Sequence, residues 1–283
     1  MAAIALALSS SVLWGLADFL GGLKSRTFPV AVVLCAMYLT SLAVMAVFVG
    51  ARGEGPPAAA AVVASLGAGL LGILGLSAFY RALAIGTMSI VAPIAATGVA
   101  LPVLVGIATG ERPGLVRSVG LAAAVVGIVL ASREDDGGAL DARQQRQSVA
   151  LAILAALGFG SYFVLAEIGS DGDVAWALAL SRLSAAPFVA GLAVLAVRRR
   201  GRLPRGRQAA ALAAIGLLDL GANAAYNYAT TIGELSSVAV GSSLYPVVTV
   251  MLASVVLGER VRGVQRGGVV VALSGVVLLA AGT

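Results

Sequence analysis

The chain has 283 residues, 60% hydrophobic and only 11% charged, against about 25% charged in a typical soluble domain, and this excludes an ordinary soluble globular protein. The net charge of +6 fits basic loops flanking membrane helices better than a nucleic-acid surface, so no nucleic-acid partner is expected. There is no histidine, and Cys35 is the only cysteine; imidazole catalysis, a disulfide framework and His- or Cys-based metal sites are excluded, and neither metal nor cofactor is expected.

A bilayer core of about 30 Å needs roughly 20 apolar residues of helix. Ten such runs are predicted, over 2–22, 29–50, 58–80, 87–108, 114–132, 148–168, 174–197, 208–229, 234–257 and 262–282. No basic region precedes the first, which is therefore read as a retained helix and not a cleaved signal. It carries Trp14 and Asp18, which are i, i+4 and share a face. Asp18 lies roughly 8 Å past the helix centre. Either it lines a cavity with Trp14 for a cationic or amphipathic solute, or it bridges to Lys24 and Arg26 at the interface. The third run is glycine-rich (Gly67, Gly69, Gly72, Gly75), as close helix packing requires. Pro93 and Pro102 in the fourth run, Pro187 in the seventh and Pro246 in the ninth are placed inside helices, where proline permits a kink.

The polar stretch 133–147 divides the chain into 1–132 and 148–283. Glu167, near the end of the sixth run, is placed at the interface. Arg182 in the seventh lies about 6 Å from its middle; it either anchors a substrate anion or pairs with Asp219 or Asp18. The eighth run reads "LLDLGANAAYNYATT" and puts Asp219, Asn223, Tyr226 and Asn227 on one face. A midplane carboxylate heading a polar face is costly in lipid, so Asp219 is the leading candidate for substrate or proton binding and Asp18 the second. Tyr245, in the middle of the ninth run, is a further contact candidate. Glu111 and Glu259 end the fourth and ninth runs, where they are expected to satisfy free backbone N–H groups of the helices that follow.

The halves repeat. "ALAIGTMSIVAPIAATGVALPVLVGIATGERPGLVRSVG" aligns with "ATTIGELSSVAVGSSLYPVVTVMLASVVLGERVRGVQRGG", bringing Gly110-Glu111-Arg112 onto Gly258-Glu259-Arg260. Five helices per half is odd, so the second half inserts inverted, an architecture of secondary transporters. Loops after odd-numbered helices hold fifteen Lys and Arg against three in the others, which puts the odd loops in the cytoplasm and both termini outside.

The Trp14-Gly15 dipeptide, the two five-helix halves and the paired Gly-Glu-Arg endings resemble the drug/metabolite transporter superfamily, and within it the EamA-type transporters. The resemblance implies an all-α membrane protein of ten transmembrane helices in two inverted repeats, which moves small metabolites by alternating access through a cavity between the halves. Such carriers commonly export amino acids, purine-like compounds or drugs. Many relatives have an arginine in the second helix where this chain reads "VLCAMYLTSL"; the second half keeps one, Arg182. Relatives also often hold both termini in the cytoplasm.

The expected protein is therefore a multi-pass carrier of the inner or plasma membrane, a monomer or homodimer, with a small polar or amphipathic substrate and protons as the candidate coupling ion. A passive channel and a lipid-linked flippase are the alternatives. An enzyme is not expected: neither Asp18 nor Asp219 has the Gly-x-Gly-Asp context of intramembrane aspartyl proteases, and helix rise sets them roughly 8 Å apart in depth.

Overall fold

The structure, a computed structural model, describes residues 2–101, 105, 114–131, 141–170, 173–200, 203–232, 242, 244–259 and 263–281. Among them the chain forms helices and turns and no strand. In order these are α1 (Ala2–Ser25), α2 (Val30–Arg52), α3 (Ala59–Ile85), α4 (Met88–Ala96), α5 (Leu115–Ala131), α6 (Ala142–Ser170), α7 (Val174–Arg200), α8 (Arg207–Ile232), α9 (Tyr245–Leu257) and α10 (Gly263–Ala281). Six of them (α1, α2, α3, α6, α7 and α8) are long and apolar enough to cross a membrane, and α9 and part of α10 are shorter apolar helices. Lipid offers the backbone no hydrogen bonds, and a helix satisfies its own. This is an all-helical, multi-pass integral membrane protein.

Boundaries differ from the predicted runs where local chemistry intervenes. α6 starts at Ala142 and takes in residues expected in the polar linker, because Asp141 accepts a hydrogen bond from the Arg143 N–H at 3.1 Å and starts the first turn. The fourth helix tightens into a 3-10 turn at Thr97–Val99, where the Thr97 hydroxyl donates to the Ile94 carbonyl at 2.6 Å. α9 begins at Tyr245, with Pro246 in its first turn. Pro246 is thus a helix starter and not a mid-helix kink, and Tyr245 stands at a helix end; a residue without an N–H fits where no partner exists. Pro93 and Pro187 do lie inside helices. Pro102 and Glu111 lie outside the described residues.

The main packing crosses between the halves. α3 lies on α6, α1 on α8, α2 on α7, and α5 on α10. Exchanging the first five helices for the last five returns the same set of pairs. Glycine permits the closest of these approaches: a Cβ on Gly75 would sit 3.1 Å from the Gly158 backbone. Polarity is arranged inside out. Val255 and Val47 are 83% and 74% exposed, while Arg182 is 3% exposed, as expected where the outer solvent is hydrocarbon.

Candidate functional site

The site is built where α1, α2, α3, α6, α7, α8 and α9 converge. Arg182 comes from the first half of α7, and its Nη2 donates to Asp219 Oδ2 on α8 at 2.8 Å. On its other side the guanidinium lies over the Tyr38 ring of α2, 4.8 Å from the centroid. Tyr38 belongs to the "VLCAMYLTSL" stretch, and its ring faces the arginine of the second half. Of the two readings of Arg182, pairing with Asp219 is the one found. Among the described residues the buried Arg182 Nε has no hydrogen-bond partner.

The stripe of α8 divides by role. Asn223 Nδ2 donates to the Asp219 carbonyl at 2.7 Å, and Asn227 Nδ2 donates to the Asn223 carbonyl at 2.8 Å. Each asparagine also accepts from α6: the Tyr162 hydroxyl reaches Asn223 Oδ1 at 3.1 Å, and the Ser170 hydroxyl reaches Asn227 Oδ1 at 3.4 Å. These two residues bind helices together. Tyr226 turns to the aromatic side, where its ring lies 5.6 Å from Trp14 and 6.1 Å from Phe163. Trp14 also meets Tyr245 edge-on at 6.2 Å. The Trp-Gly dipeptide explains this contact. A Cβ on Gly15 would stand 2.7 Å from the Tyr245 carbonyl oxygen, so glycine is what lets α1 touch the start of α9.

Asp18 is 8% exposed, and among the described residues it makes no hydrogen bond or ion pair. Of its two readings, the bridge to Lys24 and Arg26 is not found among the described residues; Arg26 is engaged by Glu259 at 3.3 Å. Instead Asp18 points into the interior, within electrostatic reach of Asp219, Tyr80 and Tyr245. Helix rise alone set the two aspartates at different depths, yet α1 packs on α8 and the two carboxylates feel each other. Tyr80 is held there by its hydroxyl, which donates to the Ala17 carbonyl at 3.3 Å. The eight candidates from the sequence thus form one neighbourhood, with Tyr38, Tyr80 and Tyr162 added. Those three lie in apolar helices with no polar stripe to mark them. The Glu167 side chain lies outside the described residues. Among the described residues, no group of three potential metal ligands exists.

Two polar clusters close the ends. At one, the carboxylate of Asp173 takes both terminal nitrogens of Arg52, at 3.0 and 2.7 Å, and accepts from the Ala175 and Trp176 N–H groups at 2.8 and 3.0 Å. Burial pushes its pKa up, but the Arg52 hydrogen bonds and the two backbone donors outweigh this and hold it below the usual aspartate value. At the other, Arg26, Glu259 and Ser89 meet. Arg26 precedes α2 and Arg52 ends it, so the clusters are about 34 Å apart along a 23-residue helix.

Residues 146–281 match the EamA-like transporter family, which covers nearly the whole second half. A protein from Streptantibioticus cattleyicolor, named a "probable terminal-alkyne amino-acid exporter", is 34% identical over 134 residues, 45% of this chain and 43% of that one. The match thus spans less than half the length of that relative. A solved crystal structure with 17% sequence identity superposes with a TM-score of 0.63 over 98% of this chain and 96% of its own, and so shares the fold.

Proposed function

We propose that this protein, an integral membrane protein whose second half is an EamA-type transporter domain, is a secondary carrier that exports a small amino metabolite by alternating access, with Asp18 as the group that exchanges between proton and substrate ammonium. The observation that carries this reading is the buried Asp18 carboxylate, which has no basic partner among the described residues and lies within electrostatic reach of Tyr80 and Tyr245. A buried carboxylate without a counter-charge is expensive, and it is relieved by a proton or by a cation. Aromatic faces beside it suit an ammonium or an apolar side chain. The named amino-acid exporter among its relatives supports the same substrate class.

In this reading Asp18, and not Asp219, is the exchanging group. Asp219 is neutralised by Arg182, so it holds the charge balance of the interior while Asp18 takes the exchangeable partner. The same pairing argues against an acid-protease pair, which needs two carboxylates sharing one proton.

A thermal-shift screen of the purified protein tests the substrate class. Amino acids and their decarboxylated amines should raise the melting temperature, N-acetylated analogues should not, and the Asp18→Asn variant should lose the response. Equal stabilisation by N-acetylated analogues would remove the ammonium from the account.

A further inference from the structure

The Gly258-Glu259-Arg260 ending of α9 has a role outside the substrate site. Glu259 was expected to serve the helix that follows it. Its carboxylate crosses instead to the start of α4, in the other half of the chain. Oε2 accepts from the Ser89 backbone N–H at 3.0 Å and from the Ser89 hydroxyl at 3.2 Å. Oε1 faces Arg26 Nη2 at 3.3 Å, and the same nitrogen lies 3.4 Å from the Leu83 and Gly86 carbonyls at the end of α3. One side chain therefore joins the end of α9, the first turn of α4 and the α1–α2 turn. The Ser89 N–H is a helix-start donor with no partner inside its own helix, and a carboxylate there forms a charge-assisted bond and opposes the helix dipole. The Glu259 side chain is 14% exposed, so water competes weakly for it.

We propose that Glu259 is a positioning residue for transport: its bond to the first turn of α4 latches the two halves shut on the face that carries Arg26, and opening to that face requires its release. This rests on the carrier reading. The latch and the site share one element, since α9 runs from Tyr245, against Trp14, to Leu257, two residues before Glu259. Swinging α9 away from α4 at the latch end moves the aromatic wall at the site end. The opposite face has its own tie between halves, Arg52 to Asp173, so the two ends can release in alternation.

The test uses a Cys35→Ser background with an Ala92→Cys reporter, which lies in α4 inward of Ser89 at a fully buried position. Adding Glu259→Gln should raise labelling by a membrane-impermeant thiol reagent about ten-fold or more from the Arg26 face, as loss of a charge-assisted hydrogen bond predicts, and leave labelling from the other face unchanged. Unchanged labelling, or an equal rise from both faces, would overturn the proposal. A second variant, Ser89→Cys with Glu259→Cys in the same Cys35→Ser background, covers the case in which Glu259→Gln does not fold. Oxidative cross-linking should stop amino-acid flux in proteoliposomes and reduction should restore it; flux that continues across the cross-link would contradict the latch. Absence of flux in the wild-type protein would defeat the carrier reading while the labelling result still judged the latch.

Discussion

Asp219 and Asp18 are chemically alike and energetically opposite. Asp219→Asn strands the Arg182 guanidinium in a buried site and should cost about 3–5 kcal/mol, as breaking a buried pair does. Removing both charges together, as Arg182→Met with Asp219→Leu, should cost less than the single change. Thermal denaturation of the three variants checks this; a double variant less stable than Asp219→Asn would show that the pair is not internally compensated. Asp18→Asn strands nothing, because Asp18 has no partner among the described residues. It should leave the melting temperature of the unliganded protein within a few degrees of wild type while abolishing the pH dependence of transport. The sequence announced both aspartates through their cost in lipid, but it ranked them by depth. The Arg182–Asp219 contact joins residues from two helices whose facing no spacing rule supplies.

At the scale of the helix, two termini carry testable consequences. The Asp173 carboxylate caps α7 and clamps Arg52 at the end of α2. Its pKa is lower in the folded protein than in the unfolded chain. The stability it contributes is therefore fully present above the ordinary aspartate value near pH 4 and is lost as pH falls through the folded value. Melting temperature followed from pH 6 to pH 3 should drop more steeply for the wild type than for Asp173→Asn; identical slopes would rule out this contribution. The second terminus is the start of α9. Gly15→Ala places a Cβ 2.7 Å from the Tyr245 carbonyl oxygen, and overpacking of this kind costs about 1–3 kcal/mol. The change should also shift tryptophan emission, because Trp14 loses its edge contact with Tyr245. Runs of apolar residues announced most helices well, since membrane crossing demands length and apolarity. They misplaced the start of α6 because capping by Asp141 recruits polar residues into a helix, while the start of the ninth run, at 234, lies outside the described residues.

For the whole molecule, the inverted outside and inside follow directly from composition: a chain with 11% charged residues has few polar groups, and lipid drives those within the membrane inward. The repeated Gly-Glu-Arg ending was visible in the sequence, but its partner was not. Glu259 reaches across to the other half of the chain, and such reach comes from how α4 and α9 are set against each other. We read the two-way packing of α1 with α8 and α3 with α6 as an inverted pair of five-helix repeats with the candidate site between them. We propose that the protein drives an amino metabolite across the membrane at the expense of a proton gradient through Asp18, which accumulation of a radiolabelled amino acid in proteoliposomes under an imposed pH difference tests most directly. Accumulation should rise above the external concentration, collapse when the gradient is dissipated and be absent in Asp18→Asn. Uptake that stops at equal concentrations, or that Asp18→Asn leaves unchanged, would contradict it.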